Sequence, residues 1–370
     1  MITDRITRPT LVIDLDKVRA NLDRMMERAK VHRVRLVPHF KTHQSKEIGE
    51  IYRGRGIEAI TVSSVKMAEY FAENGWTDIT IAFPINVLEV KALNAMIEKG
   101  AKLTILLNHL ESVAELDKKL SGKIDAFIEI DAGYGRSGVP SSDAFQVQEI
   151  ALAVDESEHM RLKGLYSHPG DSYQCVSIED IQALWAAAKD KVIALKDQLF
   201  TRDKNIVVRM GDTPGCSVVE DFSGVDEIGP GNFIFYDLVM NYLNVCDESD
   251  IAVALASPVV AKSRERFEVI IHGGAVHLSK DHLFDADERK FFGEMVVFAE
   301  EGWSPIIEGV KLKSVSQEHG ILKVTQEVFD QIELGDVIGI LPIHSCLTVN
   351  LMKSYLTLKG DELEHLEKVF

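Results

Sequence analysis

Lys41 stands at the end of an apolar run, Val37-Pro38-His39-Phe40-Lys41-Thr42-His43, with a histidine two residues away on either side. Desolvation and neighbouring cationic character lower a lysine's pKa and make its amine a Schiff-base nucleophile. The same lysine could instead pair with a carboxylate where a strand meets solvent. Further along, Asp131-Ala-Gly133-Tyr-Gly135-Arg136-Ser-Gly138 combines three glycines with an arginine. Its backbone can approach a ligand closely, and Arg136 can fork on an oxygen anion or simply pair with Asp131. In Ser167-His168-Pro-Gly-Asp-Ser-Tyr173 an imidazole sits inside a polar cluster. His168 reads equally well as a ligand-binding or a core histidine.

Two later loops, Met210-Gly211-Asp212-Thr213-Pro214-Gly215-Cys216-Ser217 and Gly229-Pro230-Gly231-Asn232, are rich in glycine and hydroxyl groups. Such loops expose backbone N–H groups to phosphate, although Gly-Asp-Thr-Pro-Gly is also a good plain turn. Near the end, His344 and Cys346 lie two apart in Pro342-Ile-His-Ser-Cys346. On a strand that spacing puts imidazole and thiolate on one side, where they can share a metal, with zinc favoured by the sulfur. A buried cysteine beside an incidental histidine is the plain alternative. Gln317-Glu318-His319-Gly320 offers a third ligand or a supporting polar cluster.

These groups need elements to position them. Strand-like runs recur at Arg35–Phe40, Glu58–Ser63, Asp78–Phe83, Lys102–Asn108, Asp125–Asp131, Leu162–His168, Ile206–Gly211 and Phe233–Asp237, with amphipathic stretches between most of them. Thr10–Leu15 is a similar run before a helical stripe that Asp16 is placed to cap. That rhythm predicts an N-terminal (βα)8 TIM-type barrel over residues 1–244, with a doubly wound sheet as the alternative. Barrel ligands sit at the carboxyl ends of the strands, where the lysine, arginine, histidine and glycine loops all fall. A lysine nucleophile and a late-loop phosphate cradle in one barrel suggest pyridoxal phosphate. After the acidic Cys246–Asp250 stretch the runs at Ala252–Ala261, Phe267–Ile271, Pro305–Val315, Ile321–Val324 and Asp336–Leu341 have no helices between them. They predict a mostly β domain over 245–370, which the first few residues of the chain could join.

Composition narrows the partners. Forty-one basic against 58 acidic residues leave a net charge of −17, which repels nucleic acid and anionic lipid. No stretch reaches the roughly 18 charge-free apolar residues of a membrane span. The start, Met1-Ile2-Thr3-Asp4-Arg5, lacks the apolar core of a signal peptide. The four cysteines form no CxxC pair. The expectation is a cytoplasmic protein with no nucleic-acid or membrane partner.

Taken together, Pro38-His-Phe-Lys41-Thr-His43, Asp131-Ala-Gly-Tyr-Gly-Arg136-Ser-Gly-Val139, Ser167-His168-Pro-Gly-Asp-Ser-Tyr173, Gly211-Asp-Thr213-Pro, Phe235-Tyr-Asp237-Leu-Val-Met240, Gln317-Glu-His-Gly320 and His344-Ser-Cys346 resemble one family. It is that of the fold-type III pyridoxal-phosphate enzymes related to alanine racemase, in the branch of D-serine dehydratase, D-threo-3-hydroxyaspartate dehydratase and D-threonine aldolase. The resemblance implies a cofactor on Lys41 and a divalent metal, zinc or another, on His344 and Cys346. It also implies a homodimer with active sites at the subunit interface. Around the cofactor it implies His39, Arg136 near the ring oxygen, His168 beside the ring, and Tyr173 at the ring nitrogen, with Thr213, Gly215, Gly231 and Asn232 at the phosphate. Lys41, His344 and Cys346 would carry the chemistry, the dehydration and deamination of a D-3-hydroxy amino acid to a 2-oxo acid and ammonia. Aldol cleavage to glycine and an aldehyde is the nearest alternative, followed by racemisation and by a non-catalytic cofactor-binding regulator. Two departures stand out. Gly229 occupies the place of the arginine that alanine racemase sets against the ring nitrogen. His272-Gly-Gly274-Ala-Val-His277-Leu-Ser-Lys280-Asp281 replaces a segment that usually carries an acidic residue, so substrate contacts there differ.

Overall fold

The computed structural model describes residues 2–200 and 205–367. They form two compact units, one of the described residues within 24–231 and the other of residues 2–23 together with 232–367.

The first unit is a parallel barrel. Its strands are Arg35–Leu36, Ala59–Val62, Asp78–Pro84, Lys102–Leu107, Ile124–Asp131, Met160–Ser167, Val207–Met210 and Glu227–Ile228. From Ala59–Val62 through Glu227–Ile228 each pairs in parallel with the next, and Glu227–Ile228 pairs with Arg35–Leu36. A bridge between His39 and Thr61 closes the ring, with Phe40 N–H donating to the Thr61 carbonyl (2.8 Å) and Thr61 N–H to that of Pro38 (2.9 Å). Helices fill the intervals because the sequence caps them and gives each an apolar stripe. Ser64 Oγ accepts from Met67 N–H at the start of Val65–Glu73, whose Val65, Ala68 and Phe71 are buried. Asp143 and Ser177 cap Ala144–Glu156 and Ile178–Leu199 in the same way.

Inside the ring, parallel register sets Glu227 opposite Arg209. Both are buried, at 5% and 1% exposure. Arg209 Nε donates to Glu227 Oε2 (2.7 Å) and Nη1 to Thr61 Oγ1 (3.3 Å), and the guanidinium lies 4.9 Å from the Phe127 ring centroid.

The second unit is antiparallel. Val253–Ser263, Glu268–His272, His319–Lys323, Lys311–Val315, Gly293–Val296 and Val337–Pro342 pair in that order, and the last returns to the first, so six strands close around Leu255, Val269, Ile271, Leu312, Leu322 and Ile340. Thr10–Ile13 extends this sheet, antiparallel to Val253–Ser263 and parallel to Ser354–Thr357.

Thr10–Ile13 alternates like a barrel strand but hydrogen-bonds in the β unit, which the first residues of the chain could join. Three local expectations change. Phe233–Asp237 is no strand: Asn232–Ile234 is a 3-10 turn, and Asp237 caps the helix Leu238–Tyr242 by accepting from Met240 N–H. The last barrel strand is Glu227–Ile228, whose inward glutamate hid it from a hydrophobicity reading. Finally, the strand Val337–Pro342 ends before His344, which is the N-cap of the helix Ser345–Met352. His344 and Cys346 are therefore neighbours through a helix start, not through strand alternation.

Removing one member of a buried ion pair strands the other charge. Glu227→Ala is expected to lower the unfolding free energy by about 3–5 kcal/mol in urea denaturation, and the double change R209M/E227L to recover most of that loss.

Candidate active site

The five loops singled out in the barrel unit all leave the carboxyl ends of its strands. Lys41 is half-buried just beyond the closing bridge. Its backbone N–H donates to His39 Nδ1 (3.3 Å), and the Gln44 amide donates to its carbonyl (3.1 Å). His39 is buried and its pKa is driven well below the usual imidazole value, by burial first and then by Lys41, His168, Arg136 and Arg209. His168 is pushed down to about 3 by burial, with Lys41 and Arg136 next in importance. Its Nδ1–H donates to the Gly211 carbonyl, so Nε2 is the acceptor side of a neutral ring. Two cations and two neutral imidazoles thus share the mouth.

Arg136 is exposed and lies 5.3 Å from the Tyr134 ring centroid, and that ring stands edge-on to His168 at 6.0 Å. Asp131 does not engage Arg136. Its carboxylate accepts from the backbone N–H groups of Gly133 (2.9 Å) and Gly135 (3.0 Å), which shapes the loop that carries the arginine. His43, flanking Lys41 in sequence, belongs to the core: it stacks on Tyr52 at 5.5 Å and meets Phe40 edge-on at 4.4 Å.

At the late loops, the Tyr173 hydroxyl accepts from Thr213 N–H (3.3 Å). Asp212 caps the short helix Thr213–Val218 by accepting from Gly215 N–H (2.6 Å), and it also receives Ser172 Oγ (2.7 Å) and Trp185 Nε1 (3.1 Å). Burial pushes its carboxyl up to about 6 despite these donors. Gly231 is held tight: a Cβ there would come within 3.0 Å of His39 Cβ and carbonyl oxygen. Thr213 Oγ1 is buried without a hydrogen-bond partner.

In the β unit, Asp237 is fully buried and gathers a second cluster. Its Oδ2 lies 3.2 Å from His344 Nδ1 and accepts from Asn232 Nδ2 (2.6 Å) and Ser345 N–H (2.9 Å). Asn232 Nδ2 is also 3.8 Å from Cys346 Sγ. Burial pulls the His344 pKa down, but the Cys346 sulfur and the Asp237 carboxylate outweigh it and raise it well above the usual value. An imidazole whose Nδ1–H is anchored on a carboxylate presents Nε2 as the ligating nitrogen. Asn232, expected at a phosphate, has its amide nitrogen here, on Asp237 and Ser345. Asp237 was missed as a functional residue, although an Asp before Leu238-Val-Met240 was a readable helix cap. Glu318 lies with His272 (Nε2 to Oε2, 3.3 Å) and His277 (3.8 Å).

Residues 13–238 match the model of the alanine racemase N-terminal domain, and residues 252–358 match a putative serine dehydratase domain. The chain belongs to the alanine racemase-like family of fold-type III pyridoxal-phosphate enzymes. Within this family it is 30% identical to D-threo-3-hydroxyaspartate dehydratase of Delftia sp. strain HT23, over 95% of this chain and 94% of that one. It is 28% identical to D-serine dehydratase of Dictyostelium discoideum, over 97% and 95%. The solved D-threo-3-hydroxyaspartate dehydratase, as a mutant in the metal-free form, superposes with a TM-score of 0.91 at 27% identity over 98% of both chains. This alanine racemase-like protein is a pyridoxal-phosphate-dependent lyase. Its barrel fits that cofactor: the orphaned Thr213 Oγ1 suits a phosphate oxygen, and a lysine beside uncharged imidazoles suits the aldehyde. Among the described residues, no helix is long and apolar enough to cross a membrane.

The low pKa of His168 has a pH consequence. Between the unperturbed 6.5 and about 3 the unfolded chain takes up a proton that the folded ring refuses, so stability falls as pH drops through that window. Urea midpoints of the cofactor-free protein are expected to fall between about pH 7 and pH 4, and less steeply in His168→Gln.

Proposed function

We propose that this chain is a D-3-hydroxy amino acid dehydratase, active on D-serine or a close relative, which yields a 2-oxo acid and ammonia and depends on pyridoxal phosphate and a divalent metal. The observation that carries the reading is the His344–Cys346 pair braced by buried Asp237, in a chain whose barrel mouth gathers Lys41, His39, His168 and Arg136. Racemisation needs no such pair of metal donors.

When bound, the cofactor acidifies the substrate Cα–H, and a metal, zinc in this reading because of the thiolate, makes the β-hydroxyl a better leaving group. The protein's own groups do the rest. With the cofactor bound, the Lys41 amine would hold it and then serve as general base toward the Cα proton. Arg136 would donate to the ring oxygen, and neutral His39 and His168 would flank the ring without adding charge. Tyr173, on the turn Gly170–Gln174, would pair with the ring nitrogen. The Thr213 hydroxyl would donate to the phosphate within the loops of Gly215 and Gly231. Asn232 steadies Asp237 and hence the metal pair. The barrel unit thus carries the cofactor, and the β unit carries the metal donors. Two copies form the working enzyme, with active sites at the subunit interface, in the cytoplasm, and small D-amino acids are its partners.

Product analysis on D-serine, D-threonine and D-threo-3-hydroxyaspartate tests this. Oxo acid and ammonia are expected, lost on chelation and restored by zinc. Glycine with an aldehyde would instead make the protein an aldolase, and chelator-insensitive inversion at Cα would make it a racemase. Asp237→Asn is expected to weaken zinc binding by about 10–100-fold, measured by competition with a chromophoric chelator.

A further inference from the structure

The segment His272–His277 carries two imidazoles that the proposed reaction does not use. The backbone around it is tightly framed. Glu268–His272 pairs with His319–Lys323, setting Ile271 opposite Gly320 and His272 opposite His319. The turn before that partner strand then wraps the segment: Gly273 N–H donates to the Glu318 carbonyl (2.9 Å), Ala275 N–H to Ser316 (2.7 Å) and Val276 N–H to Gln317 (3.2 Å). The approach at Gly274 is so close that a Cβ would fall 2.5 Å from the carbonyl oxygens of Ser316 and Gln317. Two chain segments are therefore locked together before any ligand arrives.

That frame converges three donors. His272 Nε2 is 3.3 Å and His277 Nε2 is 3.8 Å from the same oxygen, Glu318 Oε2, and the donor atoms of all three residues lie within 4.8 Å of one another. The two rings are nearly perpendicular, 85° apart. Donors on a tetrahedral zinc with bonds of 2.0–2.1 Å stand roughly 3.4 Å apart, close to the 3.3 and 3.8 Å by which the two imidazoles stand from Glu318.

We propose that His272, His277 and Glu318 form a second divalent-metal site of zinc type, with donors distinct from His344 and Cys346. Two imidazoles and one carboxylate are a borderline donor set that suits zinc better than magnesium or calcium. Three protein ligands leave a fourth position for water, and exposed Glu318 lets the ion enter from solvent. His277 Nδ1 accepts from Gly274 N–H (3.2 Å), which places the ring proton on Nε2. Metal entry moves that proton to Nδ1 and breaks this one backbone bond, a small loss beside a metal–imidazole bond. The site therefore couples occupancy to the conformation of the Gly274–Leu278 turn. It stands independently of the lyase reading.

The test is zinc stoichiometry of the holoenzyme, by mass spectrometry after zinc loading and removal of free metal. Wild type is expected to hold one equivalent more than His277→Ala or Glu318→Gln. Cys346→Ala is expected to keep that equivalent, and the double variant C346A/H277A to lose it. Cobalt loaded into Cys346→Ala should give d–d bands without a thiolate charge-transfer band, and magnesium or calcium should not displace it. Should Cys346→Ala retain no zinc and show no d–d bands, or His277→Ala and Glu318→Gln retain as much zinc as wild type, the second site does not exist. If His277→Ala fails to fold, Glu318→Gln and the cobalt spectrum of Cys346→Ala decide alone.

Discussion

Two cations, Lys41 and Arg136, share the mouth of the barrel with two imidazoles, and only the neutrality of those imidazoles makes the arrangement tolerable. Burial enforces it. In a poorly solvated pocket a third or fourth positive charge is heavily penalised, so His39 and His168 give up their protons well before neutral pH. Each ring then takes a fixed role: His39 Nδ1 accepts from the backbone of Lys41, and His168 Nδ1–H donates to Gly211. The lysine's neighbours thereby shape its surroundings without competing for its charge. Beneath them Arg209, paired with Glu227, adds to the positive field while keeping the barrel filled.

The β unit solves a different problem with one carboxylate. Asp237 holds a helix cap, the amide of Asn232, the backbone of Ser345 and the imidazole of His344 in a single buried network. Every polar neighbour that fixes Asp237 also fixes the direction in which His344 presents its other nitrogen. Such a network is intolerant of partial loss, because a buried carboxylate that loses a donor is left under-satisfied.

Much of the positional chemistry was legible along the chain. Lys41, Arg136 and His168 follow barrel strands, and a strand's carboxyl end can be read from where its apolar run stops. Most of the strands that close the β unit were legible for the same local reasons. Thr10–Ile13 carries a good strand pattern, but pattern does not name a partner, so either unit could claim it. The failures share a cause. Glu227–Ile228 has half its residues charged and inward, and hydrophobicity is blind to a buried ion pair. Strand alternation and a helix start both bring His344 and Cys346 together, and only the fold shows that it is the helix start at Ser345.

Residue types and local spacing alone determined which side chains could form a Schiff base, bind an anion or ligate a metal, because those are properties of functional groups and of nearby chain geometry. Tertiary structure decided which of them meet. Asn232 with Ser345, and Glu318 with His272 and His277, are joined by sheet pairing and loop packing across long stretches of chain. Protonation states were decided there too, since desolvation depends on everything packed around a group and on nothing that its own segment can specify.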